Sequence, residues 1–210
     1  MAGRGRLVHI ISSRYYKFMH EHDPRELLDR LATLSRAERR AASAEADLNA
    51  AQLEALTYLD RCNKYSDTPA AMADFFASSR GTASQTLLAL ERKGLITKTP
   101  DANDGRVAHC ALTSAGRRAL ARAAAHDPVA GELEKLGERE RGQLVKLLRP
   151  LLRAAQQARG GLTFGVCRTC AHFRKRGPRR YQCGLTGEPL TLADSGRICR
   201  EHDPSPAQAS

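Results

Sequence analysis

The sequence predicts a mainly α chain with a small β wing: a winged helix-turn-helix with helical dimerisation arms and a small cysteine-ligated module at its C-terminal side. Three observations carry this. Long leucine-striped helical patterns flank two short ones, the second of which opens with small polar residues and stops at Gly94. Two alternating segments then enclose a charged, glycine-containing tip. Four of the six cysteines, Cys167, Cys170, Cys183 and Cys199, fall in the last quarter of the chain.

Residues 1–23 show no clear periodicity and are expected to form an N-terminal arm. Asp23-Pro24 is a helix start, and Leu27, Leu28, Leu31 and Leu34 repeat on one face, so a helix is predicted from 24 to about 46. Asn49 caps a second helix, ending near Asn63, with Leu53, Leu56, Tyr58 and Leu59 inward. Thr68-Pro69 opens a third helix that buries Met72, Phe75 and Phe76.

The fourth helix, from Ser78 to Lys93, carries small polar residues on one face and Leu87, Leu88 and Leu90 on the other. Small hydrogen-bonding side chains at a helix front suit entry into a DNA major groove. Strands are predicted over 95–100 and 107–112, with a turn over 101–106, the whole wing spanning about 95–113. A helix from about Ser114 breaks near Pro128. Another runs from Glu138 to Ala158, with Leu144, Leu147, Leu148, Leu151, Leu152 and Ala155 on one stripe and a kink expected at Pro150. The domain 24–160 thus ends at Gly160-Gly161, the cysteine module spans 161–203, and residues 204–210 form a polar tail expected to be disordered.

Lys and Arg outnumber Asp and Glu by 34 to 23, a net charge of +11, which favours a polyanionic partner. No apolar run approaches the ~20 residues needed to span a bilayer. The short apolar stretch Leu7–Ile11 falls short of a signal-peptide core, so a cytoplasmic location is expected. Thiols stay reduced there, and clustered cysteines point to a metal centre before a disulfide frame. No Ser, His and acid constellation has a catalytic context, and a non-enzyme is expected.

The segment ASSRGTASQTLLALERKGLI, the wing PDANDGRVAHCALT and the following SAGRRAL resemble the MarR family of bacterial transcription regulators, closely over residues 48 to 120. The resemblance implies a homodimer whose chain-end helices pair and present two recognition helices to a pseudo-palindromic double-stranded DNA operator. It places Ser79, Arg80, Thr82, Ala83, Ser84 and Gln85 on the recognition face and Asp104 and Arg106 at the wing tip. Where the family usually has a further wing arginine this chain has Asn103, and Lys98 is a candidate for replacing it as a phosphate contact.

Cys167-Arg-Thr-Cys170 sets two thiolates on one turn, while Cys183 and Cys199 stand alone, so four soft ligands converge only if the loops between them fold back. Zinc ribbons usually offer two CxxC knuckles; one CxxC followed by two separated cysteines resembles in spacing the ligand order of 4Fe-4S sites, and such a cluster is the leading assignment, with Zn2+ as the alternative. Cys62 and Cys110 read as packing residues, and His172 and His202 as bystanders. The leading function is a regulator, expected to repress, whose operator affinity follows the cluster's state in redox, oxygen or iron sensing. Because Gly160 directly follows the long helix, gain or loss of the centre would shift that helix. The alternatives are a structural zinc site with a small aromatic effector bound elsewhere, and, more remotely, a thiol-disulfide oxidoreductase using Cys167 and Cys170.

Overall fold

The computed structural model describes residues 23–102, 104–123, 128–160 and 162–204. The expected arm up to residue 22, Asn103, Gly161 and the tail from 205 lie outside the described residues.

Helix α1 (Pro24–Glu45) starts where Asp23 accepts the Arg25 N–H ahead of a first-turn proline, and α2 (Ala50–Arg61) opens on a reciprocal Asn49–Gln52 capping box. Thr68 caps α3 (Pro69–Phe75), and Ser79 caps α4 (Arg80–Arg92) by accepting the Thr82 N–H. Gly94, at φ +67, supplies the left-handed residue that ends α4 and turns the chain into the wing. There β1 (Ile96–Pro100) pairs antiparallel with β2 (Ala108–Leu112), Ile96 opposite Leu112. Helices α5 (Ser114–Ala123), α6 (Pro128–Lys135) and α7 (Glu138–Ala158) follow, with Pro150 inside α7. Gly116 is where α5 crosses the Leu95 carbonyl; a β-carbon there would collide with backbone.

The core gathers Leu53, Leu56 and Tyr58 of α2, Met72 of α3, Leu87 and Leu90 of α4, and Ile96 of the wing. Tyr58 donates its hydroxyl to the Ser66 carbonyl at 2.7 Å, which satisfies the one polar atom that burying the ring would otherwise strand. One predicted inward face differs. Phe75 stays partly exposed at the edge of an aromatic cluster with Tyr58 and Phe76. The leucine stripes of α1 and α7 remain open in the single chain, with Leu147 68% and Leu152 60% exposed and no residue of α7 buried.

The sequence pattern indicated no strands in the cysteine module, and the structure supplies several short ones. These are β3 (Gly165–Val166), a 3-10 turn at Cys167–Thr169, β4 (Phe173–Gly177), β5 (Arg180–Cys183), β6 (Pro189–Leu190), the single-turn α8 (Leu192–Ser195) and β7 (Ile198–Cys199). Strand β3 pairs with β7, and β4, β5 and β6 form one antiparallel sheet.

In space the module is sutured to the winged domain. Ile198, 7% exposed, enters the main core and bridges to Cys62. Arg197 donates to the Asp60 and Cys62 carbonyls at 3.1 and 3.0 Å, closing the C-terminal end of α2. Phe164 meets Phe75 edge-on, Tyr65 reaches Thr186 at 3.0 Å, and Lys64 pairs with Glu188 at 2.7 Å.

Candidate nucleic-acid interface and cysteine cavity

The front of α4 presents the polar residues in two groups. Ser84 and Gln85 are exposed and carry no capping duty. Ser79 and Thr82 are exposed but occupied, their hydroxyls 2.8 Å apart at the helix start. Ala83 departs from the face assigned to it by resemblance: it lies in the core, 1% exposed, because residues 83, 87 and 90 fall on one side of a 3.6-residue helix together with Leu87 and Leu90. Arg80 leans back to Asp74 of α3 at 3.3 Å.

At the wing, Asp104 accepts the Arg106 N–H at 3.0 Å and donates its own N–H to Asp101, which shapes the turn and leaves the Arg106 side chain exposed. Lys98 pairs with Glu91 of α4 at 3.0 Å, so its ammonium must leave that carboxylate to meet a phosphate.

The root of the wing is held by a histidine that sequence reasoning passed over. His109 Nδ1 lies 2.5 Å from Asp67 and Nε2 3.0 Å from Asp101, linking β2 to the segment before α3 and to the wing turn. The hydrogen bond to Asp67, then that to Asp101, raises the His109 pKa above its ordinary value, against some desolvation; burial raises that of Asp67. A histidine with a raised folded-state pKa stabilises fully below its unfolded value, about 6.5, and loses that contribution as pH rises through the folded value. Thermal unfolding is therefore expected to show the wild type losing stability relative to His109→Gln as pH rises above about 6.5, by less than about 1 kcal/mol for so accessible a group. Parallel pH profiles for the two proteins would remove this clasp.

The four module cysteines come from the 3-10 turn, the end of β5 and the end of β7, and all four line one cavity of about 50 Å³. Phe173, Leu185, Leu190 and Tyr65 add apolar walls, and Asn63 closes it from the winged domain. Cys167 and Cys199 are buried and hydrogen-bonded to each other. The bond from Cys167, helped by Asn63 and a backbone contact at Glu201, lowers the Cys199 pKa to about 6 against desolvation. The same bond, with burial, pushes Cys167 up. A lowered pKa favours the thiolate, the form in which cysteine binds metal. Among the described residues no three His, Cys, Asp or Glu side chains are gathered to hold a single ion.

His202 stands apart, its nitrogens engaged by Thr163 at 3.1 Å and Thr169 at 2.9 Å, whereas His172 lines the cavity and lies 3.7 Å from Asp203. Cys62 and Cys110 sit in the hydrophobic core, where burial raises their pKa values to about 12 and about 11. The Cys167–Cys170 turn leads into strand β4, not into the helix start that activates a thioredoxin-type pair. A separate cleft of about 570 Å³ opens between α1, α2 and α5, bordered by Arg39, Tyr58, Arg61, Phe76 and Leu120.

Residues 46–107 match the model of the MarR family. The Staphylococcus aureus MepR–DNA complex shares the fold with a TM-score of 0.52 at 22% identity, over 63% of this chain and 98% of MepR. CouR from Rhodococcus jostii RHA1, solved with p-coumaroyl-CoA, gives 0.53 at 20% identity, over 65% and 93%. A MarR-family transcriptional regulator from Silicibacter pomeroyi gives 0.54 at 22%, over 64% and 90%. No curated protein matches the chain. Among the described residues no helix is long and apolar enough to cross a membrane.

Proposed function

We propose that the MarR-type winged helix of residues 46–107 makes this chain a homodimeric DNA-binding transcription regulator, acting as a repressor in a reducing cytoplasm, whose operator affinity follows a 4Fe-4S cluster held by Cys167, Cys170, Cys183 and Cys199. The observation that carries it is the meeting of all four cysteines on one cavity walled partly by the helix-turn-helix domain itself. The DNA half rests on the family match, the net charge of +11 and the exposed Ser84, Gln85 and Arg106, and the dimer half on the open leucine stripes of α1 and α7.

The donor set favours the cluster over a single ion. Zinc draws four sulfurs to about 2.3 Å from one point. Here the support is the order of the ligands, one CxxC followed by two cysteines that stand apart, which resembles that of 4Fe-4S sites. Such a cluster supplies a charge and a geometry that change with oxidation or loss of iron. The chain's part is to hold it: apolar side chains limit water, and the Asn63 amide donates to sulfur.

Anaerobic purification tests the reading. A brown protein with iron and sulfide, and broad absorption near about 400 nm, is expected; a colourless zinc protein would leave the second reading. In that reading zinc is structural and the cleft beside Tyr58 takes a small aromatic effector; the size of the cleft and its two arginines favour it.

On duplexes selected from a random pool, Arg106→Ala is expected to weaken binding to every sequence and to lower the salt slope by about 1, whereas Gln85→Ala alters base preference at one position by about 1–3 kcal/mol. An unchanged salt slope for Arg106→Ala would take the wing off the DNA.

A further inference from the structure

An unbroken set of contacts runs from the cysteine cavity to the recognition helix. Asn63, buried on the cavity wall, donates its amide to Cys167 Sγ at 3.6 Å and accepts the Ser66 hydroxyl at 2.8 Å. Ser66 Oγ in turn accepts the backbone N–H of Arg200, the residue after Cys199, at 2.8 Å. The Arg200 guanidinium reaches Asp74 Oδ2 at 2.9 Å, while Oδ1 of the same carboxylate holds Arg80, the first residue of α4, at 3.3 Å. Arg200 Nε is buried with no hydrogen bond among the described residues, so this guanidinium depends on Asp74 for its counter-charge.

We propose that Asp74 is a positioning residue through which the cysteine centre sets how freely Arg80 can leave for DNA, a route separate from any movement of α7. With Arg200 seated, one carboxylate serves two cations and holds Arg80 weakly. When the Cys199 strand loosens and Arg200 withdraws, the undivided carboxylate keeps Arg80 and denies it to phosphate. Assembly of the centre thus strengthens DNA binding. The inference rests on the four cysteines being ligands and on α4 being the helix that meets DNA.

The contacts alone do not establish coupling; a mutant cycle does. Affinity for a short labelled duplex of random sequence is measured at low salt with anaerobic full-length protein, iron and sulfide being assayed in every variant. Arg200→Gln is expected to weaken binding roughly two- to fivefold, the range of a partly exposed ion pair. Asp74→Asn should bind at least as tightly as wild type, and Arg200→Gln/Asp74→Asn should match Asp74→Asn, a rescue that a misfolded Arg200 variant would not show. Cys199→Ala should copy the Arg200→Gln loss and be rescued in the same way.

A double variant that keeps the Arg200→Gln loss overturns the proposal, as does an Arg200→Gln protein that binds like wild type. If Cys199→Ala weakens binding and Asp74→Asn does not restore it, the centre regulates by another route and the shared carboxylate fails. If the Arg200–Asp74 cycle holds while Cys199→Ala changes nothing, the carboxylate stands and the regulatory reading of the centre falls.

Discussion

Replacing any one of Cys167, Cys170, Cys183 or Cys199 by alanine is expected to leave the purified protein without the proposed metal centre and to loosen the whole segment 162–204. Within itself the module has little else to order it. Strands β3, β6 and β7 are two residues long, and its main internal apolar contact is the Phe173–Tyr181 stack at 5.2 Å. Segments of this kind cannot offset the entropy of ordering by burial, and in the proposed reading metal–thiolate bonding, of order 10 kcal/mol in small structural sites, supplies the difference. Every ligand is needed to close the site, so the four losses should be alike. Cys62→Ala and Cys110→Ala should retain the centre, since both thiols sit in the core and burial keeps them protonated. Iron, zinc and sulfide analysis, with hydrogen exchange across β4 and β5, measures both effects. Full metal content in any one of the four variants would remove that cysteine from the ligand set.

Leu147→Asp combined with Leu151→Asp is expected to convert the proposed dimer to monomer and to abolish the proposed operator binding at concentrations where the wild type saturates it. Helix α7 runs for 21 residues without a buried side chain, and an isolated helix of its composition is marginal in water. Its leucines and those at 27, 28, 31 and 34 of α1 form exposed apolar stripes beyond what a monomer tolerates. Each leucine buried in a symmetric interface contributes about 1.5–3 kcal/mol, and an aspartate in its place adds a desolvation cost. The dimer constant should weaken at least about a hundredfold, roughly 2.8 kcal/mol. Sedimentation velocity decides it; an unaltered dimer would place the interface elsewhere.

The winged domain was legible because its signals are local. Asn49, Thr68 and Ser79 each sit where a helix starts, Gly94 where one must stop, and the alternation through the wing matches strands that pair in register. The misplacement of Ala83 was avoidable: the i, i+4, i+7 spacing to Leu87 and Leu90 is the core stripe, and resemblance overrode it. The module's strands were not legible, since two residues cannot display a period. Nor was the docking, which depends on Ile198, Arg197 and Arg200 meeting residues more than a hundred positions earlier. The cysteines were found by residue type and spacing, whereas Asn63 and Asp74, unremarkable in sequence, acquire their places only from what folds against them.

Arg197 bonds the Cys62 carbonyl across 135 residues, and Ile198 fills the core beside it. A growing chain emerges from the ribosome N-terminal end first, so the helix-turn-helix is made long before the two side chains that seal it. Until they arrive, the end of α2 keeps unsatisfied carbonyls and an open apolar notch, and long-range closure of this kind is slow. Copies that lack the C-terminal segment are therefore expected to carry an unsealed core that proteases reach more readily.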